Sequence, residues 1–559
     1  MDGTYSVDDM AGEMPIGIQD FKEIRNDDSL YIDKSDMISQ ILSKKIKVYL
    51  YTRPRRFGKS LNLSMLDAFF NLKYPKDNKW FDGLKVSECE ECQKHRNAYP
   101  VINFDFKVLG VDDLDTFYSD IEDEMCVLYS QYKYLLDSDS IGQEDKDFLN
   151  SVIHLKLGHI KLRKAITRLS QMLYKHHGKK VIILLDEYDN PINNSYGKPF
   201  QQDVVGFMRE LLSSALKGND SLHFGVVTGV MQIAKESIFS GLNNLWVNNI
   251  FSKEFDESFG FTDEEVKRIC EDNGHPEKYR EAKEWYDGYR FGNKDIYCPW
   301  SILQYVQSGF EPNTYWAGTS GNSILDNLLD RASQDILDEL RSLAEETPIE
   351  YEVIPTITFQ DIHTDVNNIY SMMVMTGYLT ARVSDYGLSR LYIPNGEMRR
   401  VFGDLFLERV DARGPMHVRM LVDAFIAGDV DRIERCLYRL FASSAGNAML
   451  NDEHSYQAFL TGMLMYIDGR YSVKADFEDG NGRYDIRLES RDGNGHNIVI
   501  EIKRIPTDSS DDAARSHAEK ALCQIKDKDY THGLKGRTLL YGIAFRNKKA
   551  TVVSDVCTL

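Results

Sequence analysis

Residues 53–60 read Arg-Pro-Arg-Arg-Phe-Gly-Lys-Ser, the ending of a phosphate-binding loop without its usual first glycine. Such a loop works because consecutive backbone N–H groups wrap phosphate oxygens at a helix start. Gly58 permits close approach, Lys59 can reach the outer phosphates, and the Ser60 hydroxyl can ligate Mg2+. Arg55, Arg56 and Phe57 form the rest of the cradle. Arg53 stands where G-x-x-x-x-G-K-[ST] has its first glycine, whose backbone is usually costly for other residues. Further on, the apolar run 181–185 ends in Asp186-Glu187. An acid at such a strand end can hold Mg2+ through water, and a second can orient an attacking water. Asp186 is assigned to the metal and Glu187 to the water. The plainer alternative is a turn before Pro191. Thr228, closing the next apolar run, can sense the terminal phosphate or simply bond to backbone at a strand end.

A second constellation lies near the other end: Gly482, Arg483, Asp485, Glu501 and Lys503. This order and spacing suit metal-dependent cleavage of a phosphodiester. That chemistry needs two carboxylates on adjacent strands to clamp Mg2+, here Asp485 and Glu501. It also needs a lysine, Lys503, to orient or activate water and offset charge on the pentavalent phosphate. Glu501 and Lys503 are two apart, so on a strand they share a face. The fifteen residues between Asp485 and Glu501 fit a hairpin turning at 491–495. Val499, Ile500 and Ile502 mark its second strand as buried, and buried charges need a reason. The alternative reason is a structural salt-bridge cluster. Glu453 is either a third acidic ligand or an ordinary acid favoured at a helix start.

These residues need elements to position them. Strands are expected at 45–52, 99–106, 180–186 and 222–228, with a helix at 61–72 and mostly helix over 112–178. Buried strands separated by long helices imply a parallel sheet covered on both faces. After about residue 255 the pattern turns helical and charged. Residues 346–450 read as a winged-helix-like domain or a helical spacer. From 451 come a helix at 455–466, strands at 484–489, 497–503 and 538–545, and a helix at 513–530. The segments expected are a loose tail (1–14), a nucleotide-binding core (15–255), a helical lid (256–345), the middle region (346–450) and a C-terminal α/β domain (451–559).

The net charge of −20 argues against a chain coated in nucleic-acid-binding surface but allows a local basic groove. Lys44, Lys45, Lys47, Arg53, Arg55, Arg56 and Lys59 are the candidates for one. The eight cysteines are scattered, as for reduced thiols. Cys89 and Cys92 stand close, but a zinc knuckle needs four ligands and no second pair is near. No apolar run approaches the ~20 residues of a membrane span, and the start lacks secretory-signal features. A cytoplasmic location is expected.

The runs at 53–60 and 185–192 (Leu-Asp-Glu-Tyr-Asp-Asn-Pro-Ile), with Tyr31-Ile-Asp-Lys34 and Trp285-Tyr-Asp-Gly-Tyr-Arg-Phe291, resemble the AAA-ATPase-like family of prokaryotic proteins. In that family Arg-Pro-Arg-Arg-Phe-Gly-Lys-Ser is the usual form of the loop, and a PD-(D/E)XK nuclease-like domain typically follows. The resemblance covers nearly the whole chain. It implies an additional-strand phosphate-loop fold with Lys59, Ser60, Asp186 and Glu187 at the nucleotide. It also implies a restriction-endonuclease-like α/β domain at the C-terminus. Gln524 resembles the glutamine found in related nuclease-like domains; the alternative is a solvent-facing helix residue. ATPases of this type often assemble and borrow an arginine from a neighbour; Arg55, Arg56 and Arg290 are candidates. The expected function is an ATP-binding ATPase coupled to a Mg2+-dependent nuclease acting on nucleic acid, DNA first. The competing expectation is a nucleotide-switched protein whose C-terminal domain binds nucleic acid or a partner without cutting.

Overall fold

A computed structural model describes residues 13–27, 29–233, 244–316, 347–357, 366–383, 387–402, 416–444, 453–464, 471–479, 482–491 and 495–558, with Ile336, Glu339, Leu340, Ser342 and Leu343 between them. Residues 1–12 of the expected tail, 317–335 of the expected lid, 403–415 of the middle region and 492–494 of the expected hairpin turn lie outside the described residues. The chain divides into two compact units: Met1–Pro312 with Glu350–Arg390, and Asn313–Ile349 with Leu391–Leu559.

The first unit is built on five parallel strands: β1 (Val48–Thr52), β2 (Val101–Asp105), β3 (Val181–Asp186), β4 (Leu222–Gly229) and β5 (Leu245–Asn248). Their order is β2-β3-β4-β1-β5. The strand β4 thus sits between the loop-bearing β1 and the acid-bearing β3, the additional-strand arrangement expected. Every residue of β1 and β3 is buried, as parallel strands covered on both faces must be. Val48, Leu50, Ile102, Phe104, Ile183 and Leu185 join a core with the helices Leu114–Ser130, Gln143–Ile153, Ala165–His177 and Gln201–Leu216. Alternate residues point the other way, and the helix Lys59–Phe70 packs against β2, β3 and β4.

Some expectations need correction. The first strand begins at Val48, because Lys45 ends the helix Asp36–Lys44 in a left-handed conformation, φ 54°. The stretch after 255 is not wholly helical. Phe261–Thr262, Tyr289–Phe291 and Lys294–Tyr297 form a small antiparallel sheet beside the helices Asp263–Asp272, Tyr279–Tyr286 and Pro299–Gln307. The basic residues do not form one groove. Lys44 to Lys47 precede β1 and Arg53 to Lys59 follow it, so a strand length separates them. Arg53 and Lys59 are buried, Lys44 pairs with Glu254, and Lys47 donates to the carbonyls of Leu222 and His223. Cys89 and Cys92 are not free thiols but a disulfide, closed where Cys89 starts the short helix Glu90–Gln93.

The second unit carries a mixed sheet of β6 (Tyr471–Asp479), β7 (Gly482–Ser490), β8 (Asn497–Arg504), β9 (Arg537–Arg546) and β10 (Lys549–Thr558), in that order. Only β8 and β9 run parallel. A parallel pair needs a crossover, and the helix Asp511–Asp527 supplies it. Ile498, Ile500 and Ile502 face a core made with the helices Met416–Ala427, Val430–Ser444 and Glu453–Leu464. Val499 faces Ile525 and Tyr530 on the crossover side. By alternation Glu501 and Lys503 share that second face. Sequence pattern missed β6 and β10, the two edge strands, although in β6 Tyr471, Val473, Ala475 and Phe477 alternate with polar residues and the period-2 signal was there to be read. Among the described residues, no helix is long and apolar enough to cross a membrane.

Candidate functional site

The phosphate loop follows β1 directly. Gly58 caps the helix Lys59–Phe70 at φ 83°, a left-handed backbone that suits glycine. Arg56 shares that region at φ 71°. Arg53 does not, so the missing first glycine leaves no strain at its position. Arg53 is instead fully buried. Its guanidinium donates to Thr52 O (2.8 Å), Asn248 O (3.1 Å), Asn248 Oδ1 (2.6 Å) and Phe255 O (3.5 Å). It lies between the rings of Phe259 (4.9 Å) and Phe291 (5.1 Å). Burial pulls its pKa down to about 9. Phe57 packs on Tyr289 and Phe291 at 5.0 and 5.1 Å, and Arg56 covers Trp300 at 4.9 Å. The run 285–291 thus braces the loop.

Lys59, only 4% exposed, contacts Glu187 Oε1 and donates to the carbonyls of Arg53 and Pro54, each at 3.2 Å. Asp186, at the end of β3, accepts from the hydroxyls of Thr228 and Ser60. It also accepts the Glu187 N–H at 3.1 Å. Burial and then Glu187 push its carboxyl up. Lys59, Ser60, Asp186, Glu187 and Thr228 therefore converge at the C-terminal edge of the sheet. Open α/β sheets bind ligands beyond the carboxyl ends of their strands.

Sequence reasoning missed two acids at the same edge. Asp189 is fully buried. Its Oδ2 accepts Val230 N–H (3.0 Å), Met231 N–H (2.9 Å) and Asn193 Nδ2 (3.2 Å). Burial and then Glu187 raise its pKa to about 6. It ties the turn after Thr228 to the Asp-Glu-Tyr-Asp run. A side chain at Gly229 would meet Asp189 Oδ1 at 2.6 Å. Asp105 ends β2 beside Asp186, and burial with Asp186 and Glu187 raises it to about 6. The signal was present in Asn-Phe-Asp-Phe, a strand ending in acid like β3. Of the arginine candidates, Arg290 pairs with Asp295 at 2.9 Å, and Arg55 is half-buried in the loop.

In the second unit Asp485 is half-buried and its Oδ2 accepts the Ile502 N–H at 2.6 Å. Glu501 is 2% exposed. Its Oε1 accepts from Lys503 Nζ at 2.9 Å and from Gln524 Nε2. Its Oε2 is buried without a hydrogen-bond partner. Burial, then Asp485, raises the Glu501 pKa to about 7. Lys503 is pulled down by burial, but Glu501, Glu453 and Asp485 outweigh this and raise it. Gln524, half-buried, also reaches the Tyr530 hydroxyl at 3.2 Å, so its amide is turned toward Glu501. Glu453 is exposed, with Oε1 3.4 Å from the Arg504 N–H. Gln457 donates to the Asp485 carbonyl at 2.8 Å.

Sequence reasoning also missed Gly542, paired with Glu501 across β8 and β9. A Cβ there would lie 2.1 Å from Ala518 O and 2.6 Å from Leu522 N of the crossover helix. Only glycine lets that helix approach near enough for Gln524 to reach Glu501.

Residues 15–239 match a family described as predicted AAA-ATPase. Residues 451–555 match the PD-(D/E)XK nuclease superfamily. The chain thus carries an AAA-ATPase-like domain over residues 15–239 and a domain of the PD-(D/E)XK nuclease superfamily over residues 451–555. It is 25% identical over 567 residues to an uncharacterized protein in the vnfD 5' region of Azotobacter chroococcum mcd 1, a similarity covering 97% of this chain and 98% of that one.

Proposed function

We propose that the chain binds and hydrolyses ATP at the first unit's sheet edge. We propose also that it cleaves nucleic acid, DNA first, at Asp485, Glu501 and Lys503, with Mg2+ required at both sites. The observation that carries the reading is the buried Glu501 beside Asp485 and Lys503. Oε2 of this carboxylate has no hydrogen-bond partner, and an orphaned buried oxygen is costly unless a ligand satisfies it. Among the described residues, no group of three or more His, Cys, Asp or Glu side chains forms a metal cage. Mg2+ suits this, since it binds through one or two carboxylates together with phosphate and water. When bound, Mg2+ would supply Lewis-acid polarisation of the phosphate and a more acidic water.

In this reading Lys503 neutralises charge developing on the phosphate, and Gln524 holds Glu501 in place. In the first unit, the Lys59 ammonium turns from Glu187 to the outer phosphates of ATP. That exchange frees Glu187 for the attacking water. Ser60 and Asp186 hold the cation, Thr228 orients Asp186, and Arg55, Arg56, Phe57 and Gly58 wrap the phosphates.

The test is cleavage of plasmid and short single-stranded DNA and RNA with Mg2+ or Mn2+, with and without ATP. An Asp485→Ala/Lys503→Ala protein serves as control. Cleavage lost in the control is the expected outcome. Equal cleavage by the control would place the chemistry elsewhere. No cleavage under any condition, with ATP still bound, would favour a nucleotide-switched binding protein.

A further inference from the structure

We propose that Asp105 is a working member of the nucleotide site and orients the attacking water alongside Glu187; this rests on the ATP-hydrolysing reading above. Asp105 is the last residue of β2 and pairs in register with Asp186, the last of β3. The pairing continues past both, with Phe106 N–H donating to Asp186 O at 3.0 Å. Side chains at paired positions of parallel strands point to the same face. Ile102 and Phe104 turn into the helical core on one side. Asn103 and Asp105 therefore lie on the other, the side where the helix Lys59–Phe70 packs on β2 and β3.

The carboxylate is half-buried and only partly used. Its Oδ1 accepts the Lys107 N–H at 2.8 Å. Among the described residues no hydrogen bond is made to its second oxygen, and no lysine or arginine forms an ion pair with it. Asparagine would close the same turn equally well, so the turn does not explain the acid. Asp105, Asp186 and Glu187 instead crowd one strand-end edge where, among the described residues, Lys59 is the buried ammonium. Like charges this close oppose one another. Asp186 accepts from Ser60 and Thr228, and Lys59 contacts one oxygen of Glu187, a contact it gives up when it turns to the phosphates. Asp105 thus keeps a carboxylate oxygen with no hydrogen bond among the described residues, at the same strand-end edge as Glu187, so the two acids can hold one water between them.

In the step assigned, the water oxygen bonds to the terminal phosphorus of ATP as the bridging P–O bond breaks. ADP leaves with that electron pair. The water proton passes through the acid pair to the released phosphate.

Asp105→Asn isolates the charge, because it keeps the bond to Lys107 N–H. Phosphate release, affinity for a fluorescent ATP analogue and thermal midpoint would be measured for wild type, Asp105→Asn and Asp105→Glu. The expected result for Asp105→Asn is kcat about tenfold lower or more, affinity within about threefold and an unchanged midpoint. Asp105→Glu should recover part of kcat. An Asp105→Asn kcat within about twofold of a wild type that turns over would overturn this assignment alone. So would a joint loss of kcat, affinity and midpoint, which would make Asp105 structural. A wild type that binds ATP and never hydrolyses it would overturn this assignment and the hydrolytic reading together.

Discussion

Arg53 holds the phosphate loop to β5 and to the segment around Phe255 with three donated hydrogen bonds, and a fourth goes to Thr52 O beside it. A buried guanidinium that is removed leaves its carbonyl acceptors without partners, at about 1–3 kcal/mol each if water does not enter. Arg53→Gly, which restores the general loop pattern, should therefore destabilise the first unit by on the order of 3 kcal/mol and weaken ATP binding. Thermal denaturation beside nucleotide titration checks this. An unchanged midpoint would mean the contacts are dispensable. His223 tests a different single-residue effect. Its ring stacks on Tyr99 at 4.5 Å. Burial, then Lys47, His95 and Lys180, lowers its pKa to about 4. The unfolded chain, with its histidine near 6.5, binds the proton more readily. His223 thus contributes stability present above about pH 6.5 and lost as pH falls through about 4. His223→Phe keeps the stack and should flatten this part of the stability–pH curve in denaturant titrations. An identical slope in the variant would assign the acid sensitivity elsewhere.

At the scale of elements, the nuclease-like site depends on how near the helix Asp511–Asp527 comes to β9. Gly542 sets that distance, since any Cβ there collides with the helix backbone at Ala518 and Leu522. Gly542→Ala should push the helix outward and cost about 1–3 kcal/mol, as overpacking does. It should also separate Gln524 from Glu501 and lower metal-dependent cleavage. Full cleavage at an unchanged melting temperature would show that the helix can shift without disturbing the acids. The first unit uses a comparable device. The turn after β4 is tied down by Asp189, so that Thr228 meets Asp186. Both devices rest on a small residue placed where backbone and side chain nearly touch.

At the scale of the whole molecule, the two candidate sites lie on separate sheets in separate compact units. Mutations without shared partners act independently. Glu501→Gln should abolish cleavage and leave ATP affinity intact, while Lys59→Ala should remove ATP binding. Residual cutting by Glu501→Gln, or unchanged affinity in Lys59→Ala, would refute the corresponding site. Much of this organisation was legible in the residues alone. Strands β1 to β4 were readable because buried parallel strands are continuous apolar runs, and the motif residues stand at their ends. Glu501 and Lys503 were readable because charges two apart in an apolar run share a face. Features that were not legible include the role of Arg53, the company of Asp105 and Asp189, the need for Gly542, and the separation of the basic residues to the two ends of β1. Each depends on which distant segments meet. Sequence spacing encodes local periodicity and strand ends, whereas the neighbours of a side chain across a sheet are set by strand order and register, which exist only once the chain has folded.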